Sequence, residues 1–269
     1  MPPEPTRVRR QLAAELAHLR SIAGLSLRTV GDAVGIGHAQ VRRIELATAT
    51  PSSVQARTWL RATGADEDTT ERVLALLEAA HVETAPWADL LASSTGRHLN
   101  AIAAAREEAA TLNCSYQQFI VPGLAQTSAY VRALIPHLRV AIDPEADLPA
   151  RIARQEVLHQ AGREFRFVLT RRALSWNPDP ATVSMEGQLD RLRELDRLPT
   201  VSVRVLDDDA APMGGYSSFT IYDRQADGGA LVAVELEHHV LTITAADDVE
   251  HYRRRFVDLY EAGRPLSAD

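Results

Sequence analysis

Arg42 and Arg43 stand side by side in the stretch His38-Ala39-Gln40-Val41-Arg42-Arg43-Ile44-Glu45, just after Gly35-Ile36-Gly37. A guanidinium presents its donors as a planar fork, which bonds guanine O6 and N7 together or grips phosphate oxygens. Stepping about 100° per residue from Val41 places Ile44 and Glu45 near the inner side of a helix, with Ala39, Arg42 and Arg43 outward. His38 lies on the flank, where a first turn still reaches a groove, and Gln40 has either phosphate or solvent within reach. Arg28 and Thr29 fall in the first turn of the preceding helical segment, placed for a phosphate backbone. A solvated helix face is the alternative for every one of these side chains. The turn spacing and the local charge favour contact with duplex DNA.

The other groups of reactive types do not assemble into a reaction. Glu235 and Glu237 lie two apart on a strand and share a face, so they can do acid–base work, or simply face solvent. His238 and His239 point to opposite faces of a strand, and with His251 they lack metal-ligand spacing. Asp207-Asp208-Asp209, followed by Pro212 and Gly214-Gly215, reads as a loop without the spacing of a calcium site. Cys114 has no base nearby in sequence and reads as a small buried residue. No phosphate-cradling glycine motif occurs. The expectation is no catalytic residue, no metal and no cofactor. An enzyme built on the C-terminal part around Glu235 ranks last.

The elements that must position the arginines are short helices. Val8, Leu12, Leu16, Leu19 and Ile22 recur at spacings of three and four, and Gly24 stops that helix. Ser26 caps a second, with Leu27, Val30, Ala33 and Val34 inward, and Gly35 closes it. A third starts near His38, with Ile36 and Val41 as a hydrophobic staple. Pro51 opens a fourth that ends at Gly64, and Asp66 caps a fifth carrying Val73, Leu74, Leu76 and Leu77. Helix, three-residue turn, helix is the spacing of a helix-turn-helix, whose second member enters the major groove.

Beyond Glu83 comes a connector with a short helical piece at Trp87 to Leu91, then an alanine-rich helix from Ala101 to Leu112. After it the pattern changes. Phe165 to Thr170, Val201 to Leu206, Ser218 to Tyr222, Leu231 to Glu237 and Val240 to Thr244 read as strands. Helices fall at Leu148 to Ala161, Val183 to Leu198 and Asp247 to Ala262. The expected architecture is an all-α N-terminal helix-turn-helix domain of about five helices, followed by an α+β domain with a mixed or antiparallel sheet. The expected boundaries are 1–65 for the DNA-binding domain, 66–98 for a helical connector and 99–269 for the α+β domain.

Composition sets the bounds. Hydrophobic residues make up 45% of the 269-residue chain and charged residues 24%, enough to bury a core and to exclude global disorder. All 29 basic residues are arginine, and the net charge is −7. Residues 1–65 nevertheless carry +5 and the remainder −12, a basic head on an acidic body, which suits a polyanionic partner for the head. A single cysteine excludes an intrachain disulfide framework. No long apolar run and no apolar leader core are present, so the expectation is a soluble, cytoplasmic protein away from membranes.

Two stretches carry a family resemblance. Leu16-Ala17-His18-Leu19-Arg20 to Gly24-Leu25-Ser26, then Val30, Gly35-Ile36 and Val41-Arg42-Arg43-Ile44-Glu45, resemble the Cro/C1-type (XRE) helix-turn-helix. The chain departs from that pattern at Leu27, where glutamine is common, at Gly37, where a serine or threonine usually starts the reading helix, and at Leu46-Ala47, where a glycine is usual. The resemblance implies a structural ion pair between Arg20 and Glu45. Farther on, Val121-Pro122-Gly123-Leu124-Ala125-Gln126-Thr127 with Tyr130 and Ala133 resembles the PGLLQT-type signature of the DUF5753 domain. Arg151, Arg154-Gln155, Leu158, Gln188-Leu189, Leu192, Gly215, Phe219 and Glu235 follow in the same order. What the resemblance implies is a transcriptional regulator of the Scr1-like, antitoxin-like kind. Its larger domain would serve dimerisation and sensing of a small-molecule effector or of a small protein encoded nearby. Pro122, Gly123, Gln126, Tyr130 and Glu235 mark the place for such a ligand or partner. A reorienting turn is the plainer reading of Pro122-Gly123. The alternative function is an antitoxin-like interaction protein that captures a small partner and autoregulates its own operon.

Overall fold

Leucines three and four apart give the first helix one apolar face, and that face must find partners. In the computed structural model, which describes residues 7–86, 97–138, 143–207, 217–225, 229–236 and 239–266, five helices follow one another: α1 (Arg7–Ile22), α2 (Leu27–Val34), α3 (His38–Glu45), α4 (Ser53–Thr63) and α5 (Glu67–His81). Leu12, Leu16 and Leu19 of α1 meet Val30, Val41, Ile44, Trp59 and Leu77 in one core. Two expected inner residues are instead outside it: Ile22, which ends α1, is 66% exposed, and Ala33 is exposed, its inward place taken by the buried Gly31. Turn chemistry sets the ends. Ser26 accepts the Thr29 N–H, and Gly35 takes the left-handed conformation at φ 78°. Helix α4 begins at Ser53 and not at Pro51, capped by Ser52 in a reciprocal capping box with Gln55. Asp66 accepts the Thr69 N–H at 2.7 Å, at the start of α5. Helix α5, which falls in the expected connector, buries Val73, Leu77 and Ala80 in this same core. The smaller unit accordingly comprises residues 1–83 with 242–248, and the larger one residues 84–241 with 249–269. The helical piece expected at Trp87 to Leu91 lies outside the described residues.

The larger unit is α+β. The strands of the sheet are β1 (Val82–Pro86), β2 (Ala110–Gln117), β3 (Glu164–Thr170), β4 (Val201–Leu206), β5 (Phe219–Gln225), β6 (Leu231–Glu235), β7 (His239–Ile243) and β8 (Arg264–Pro265), in the order β1-β7-β6-β5-β2-β3-β4-β8. β2 pairs β3 and β3 pairs β4 in parallel, while β2–β5, β5–β6 and β4–β8 are antiparallel. The sheet is therefore mixed, with more strands than the five legible in the sequence. β2 is the main correction. The helix expected over Ala101 to Leu112 is α6 (Arg97–Ala109), and it ends where β2 begins. As a middle strand, β2 is buried along nearly its whole length, so it shows none of the alternation that marks a half-exposed strand.

The remaining helices are α7 (Ser128–Leu134), α8 (Pro144–Arg154), α9 (Arg171–Ser175), α10 (Met185–Asp196) and α11 (Ala246–Ala262). The β2–β3 and β3–β4 crossovers lie over the same sheet face, where Leu124, Tyr130, Ala173, Leu192 and Leu195 pack on Phe165, Phe167, Leu169, Val203 and Val205. On the other side, Tyr252 and Phe256 of α11 pack edge-on against Phe219, at 4.9 and 6.5 Å between ring centres. Among the described residues no helix is long and apolar enough to cross a membrane.

Candidate nucleic-acid interface

The angle between α2 and α3 depends on a glycine that the sequence reading passed over. A Cβ on Gly31 would stand 2.6 Å from the Ile36 carbonyl oxygen and 3.4 Å from Val41 Cγ2. Only hydrogen at that Cα lets the chain after Gly35 fold back so closely, and the Ile36 N–H then donates to the Gly31 carbonyl at 2.9 Å. The missed signal was a glycine in mid-helix, one residue after a core valine.

With Val41 and Ile44 fully buried, the opposite side of α3 is presented outward: His38, Ala39 and Arg42 are exposed, and Gln40 and Arg43 half-buried. Arg28 and Thr29 are exposed in the first turn of α2, where the Thr29 hydroxyl lies 2.8 Å from that of Ser26. The Arg43 carbonyl accepts from the Thr48 and Ala49 N–H groups and the Thr48 hydroxyl, tying down the C-terminal end of α3. Ala47 then turns the chain with φ 58°, in the left-handed region.

Arg20 of α1 and Glu45 of α3 meet in a two-pronged ion pair, Nε to Oε1 at 2.5 Å and Nη2 to Oε2 at 3.0 Å, while Nη1 donates to the Leu25 carbonyl at 2.9 Å. Their side chains are 21% and 12% exposed, between the surface and buried regimes, so breaking the pair costs about 2 kcal/mol. Glu45 holds the Arg20 guanidinium above its ordinary pKa. The pair braces α3 from inside, while His38, Ala39 and Arg42 stay exposed.

The second group of candidate residues folds on itself. Pro122, Gln126 and Tyr130 are buried. The Tyr130 hydroxyl accepts the Val121 N–H, Gln126 Nε2 donates to the Val121 carbonyl, and Gln155 Nε2 donates to the Gln126 carbonyl. Gln188 clamps the same turn, accepting from the Thr127 N–H and donating to the Ala125 carbonyl. Gly123 is covered by Arg154, whose Nη2 a Cβ there would meet at 2.8 Å. Arg154 also faces Glu107 and donates to Asn100, which donates to Asp147, the partner of Arg151. This buried network was not legible in the sequence beyond the order of Arg151, Arg154, Gln155 and Gln188. Glu235, by contrast, stands exposed at the end of β6. Glu237, His238 and Gly215, and all of the aspartate loop but Asp207, lie outside the described residues. Asp207 is paired with Arg171 and Arg264, and burial pushes the Cys114 thiol up to about 12, far from a nucleophile.

The polar turn and the sheet around it correspond to a known domain. The family model described as a domain of unknown function, DUF5753, matches residues 101–266, more than half of the chain. The chain belongs to the DUF5753 family. In this DUF5753 protein a helix-turn-helix domain model also matches residues 11–73, the segment built around α2 and α3. No curated protein matches the chain. Among solved structures, TrmBL2, an archaeal chromatin protein with a novel mode of DNA binding, is similar at 12% identity with a TM-score of 0.33. That likeness covers 76% of this chain and 64% of TrmBL2. At that level it assigns nothing to the DUF5753 chain.

Proposed function

We propose that the chain is a sequence-specific, DNA-binding transcriptional regulator that works as a cytoplasmic homodimer, with α3 in the major groove and the DUF5753 domain carrying dimerisation and the response to an effector. The helix-turn-helix match supports DNA as the partner. One observation carries the reading: α3 buries Val41 and Ile44, is braced by Arg20–Glu45, and turns His38, Ala39, Gln40, Arg42 and Arg43 away from the core. Arg28 and Thr29 sit at the N-terminus of α2, where backbone N–H groups and the helix dipole attract phosphate. Charge agrees with this placement. Helix α5 bears Glu67, Asp68, Glu71 and Glu78 against Arg72 alone, so the positive balance of the smaller unit lies on α1 to α4.

The test is a mobility-shift series on duplexes selected from a random pool. Wild type retards a subset of sequences, and the double variant Arg42→Ala/Arg43→Ala loses that selectivity. Unchanged selective binding by the double variant would remove α3 from the reading role.

A further inference from the structure

We infer that α3 reads a guanine edge through a preassembled Gln40–Arg43 pair, with Gln40 as the positioning residue, instead of the adenine edge that a lone glutamine reads. The inference rests on α3 being the DNA-reading helix. Gln40 and Arg43 are three residues apart and share a helix face, and Arg43 Nη1 donates to Gln40 Oε1 at 3.2 Å. A guanidinium has donors only. The amide must therefore turn its oxygen to Arg43, which leaves Nε2, a donor, as its outward group.

That orientation decides which base fits. A glutamine that reads adenine uses both amide atoms, Oε1 accepting from the N6 amino group and Nε2 donating to N7. Here Oε1 already faces a cation, so the adenine amino group would bring a further donor against positive charge. Cytosine presents an amino donor too. Guanine presents O6 and N7, both acceptors, to the fork of donors on Arg43, which Gln40 holds in place. The backbone that carries Arg43 is fixed as well, because its carbonyl accepts three hydrogen bonds from Thr48 and Ala49. Held by Gln40, the Arg43 side chain loses less freedom on contact than a solvated arginine.

The experiment is selection of duplexes from a random pool by the full chain and by its Gln40→Ala, Gln40→Glu and Arg43→Ala variants, each first shown to keep wild-type helicity by circular dichroism. Wild type is expected to enrich guanine at one position of the selected site. Gln40→Ala lowers that preference about tenfold while leaving the salt slope unchanged, because no phosphate contact is removed. Gln40→Glu, which keeps an acceptor for Arg43, retains guanine. Arg43→Ala releases the amide and shifts the enrichment to adenine. Enrichment of adenine by wild type, or an undiminished guanine preference in Gln40→Ala, overturns the pair. Enrichment of no sequence by wild type overturns the DNA-reading assignment of α3 itself.

Discussion

Glu107 is 4% exposed and faces Arg154 Nε at 3.1 Å. Burial pushes its carboxyl up to about 7 from the ordinary 4.5, and the Arg154 charge offsets only part of that rise. Between those two values the folded protein holds a proton that the unfolded chain has released. Stability must therefore fall as pH rises through that window, with the loss complete above about 7. A displacement of this size corresponds to about 3 kcal/mol. A neutral amide has no charge to desolvate, so Glu107→Gln should flatten the dependence, even though it weakens the hold on Arg154 and lowers stability at every pH. Urea unfolding from pH 5 to pH 8 measures this. Equal slopes in wild type and variant would show that this carboxyl does not couple ionisation to folding.

The helix-turn-helix depends on one close approach, and that gives the sharpest prediction about an element. In Gly31→Ala the new methyl meets the Ile36 carbonyl oxygen at 2.6 Å. That oxygen is backbone, so the turn must move, at a cost of about 2 kcal/mol. The variant should melt earlier and should lose operator affinity even where it remains folded, because α3 is displaced. Wild-type melting and affinity together would mean that the turn tolerates the methyl. The same region shows what a sequence discloses. Helices α1 to α5 were legible because each exposes one face, giving a three–four rhythm, and because Ser26, Gly35, Gly64 and Asp66 occupy capping positions. The outward side of α3 followed from that rhythm, with Arg42 and Arg43 on it. Gly31 did not, because its role lies in a distance across the turn. β2 was hidden for the opposite reason: buried on both faces between β3 and β5, it alternates with nothing. The buried polar network around Arg154 was opaque as well, since Asn100, Glu107, Asp147 and Arg154 come from separate turns of α6 and α8 and meet only in three dimensions.

At the scale of the molecule, the chain carries −7 overall although residues 1–65 carry +5. The positive balance lies on α1 to α4, with Arg7, Arg9, Arg10 and Arg20 on α1 and Arg57 and Arg61 on α4 beside Arg28, Arg42 and Arg43. On the proposed reading, attraction to DNA therefore falls to these helices and not to the chain as a whole. Helix α5, with its four exposed acids, packs chiefly on α1 and α4. On the proposed reading a single α3 spans only a few base pairs, one chain covers one half-site, and adequate affinity requires two half-sites engaged together. In a two-fold dimer the two reading helices must reach successive major grooves, which fixes the half-site centres at about 34–36 Å, one helical turn, or a multiple of it. The pool-selected site should consequently be an inverted repeat, and sedimentation should find two chains per duplex. Inserting about five base pairs at its centre turns one half-site to the far side of the helix. Only one α3 then docks, and affinity should drop about 100-fold. Ten inserted base pairs restore the facing, and much of the binding should return. Affinity indifferent to the spacer, with one chain per duplex, would mean that the regulator reads DNA as a monomer and that the larger domain has some other use.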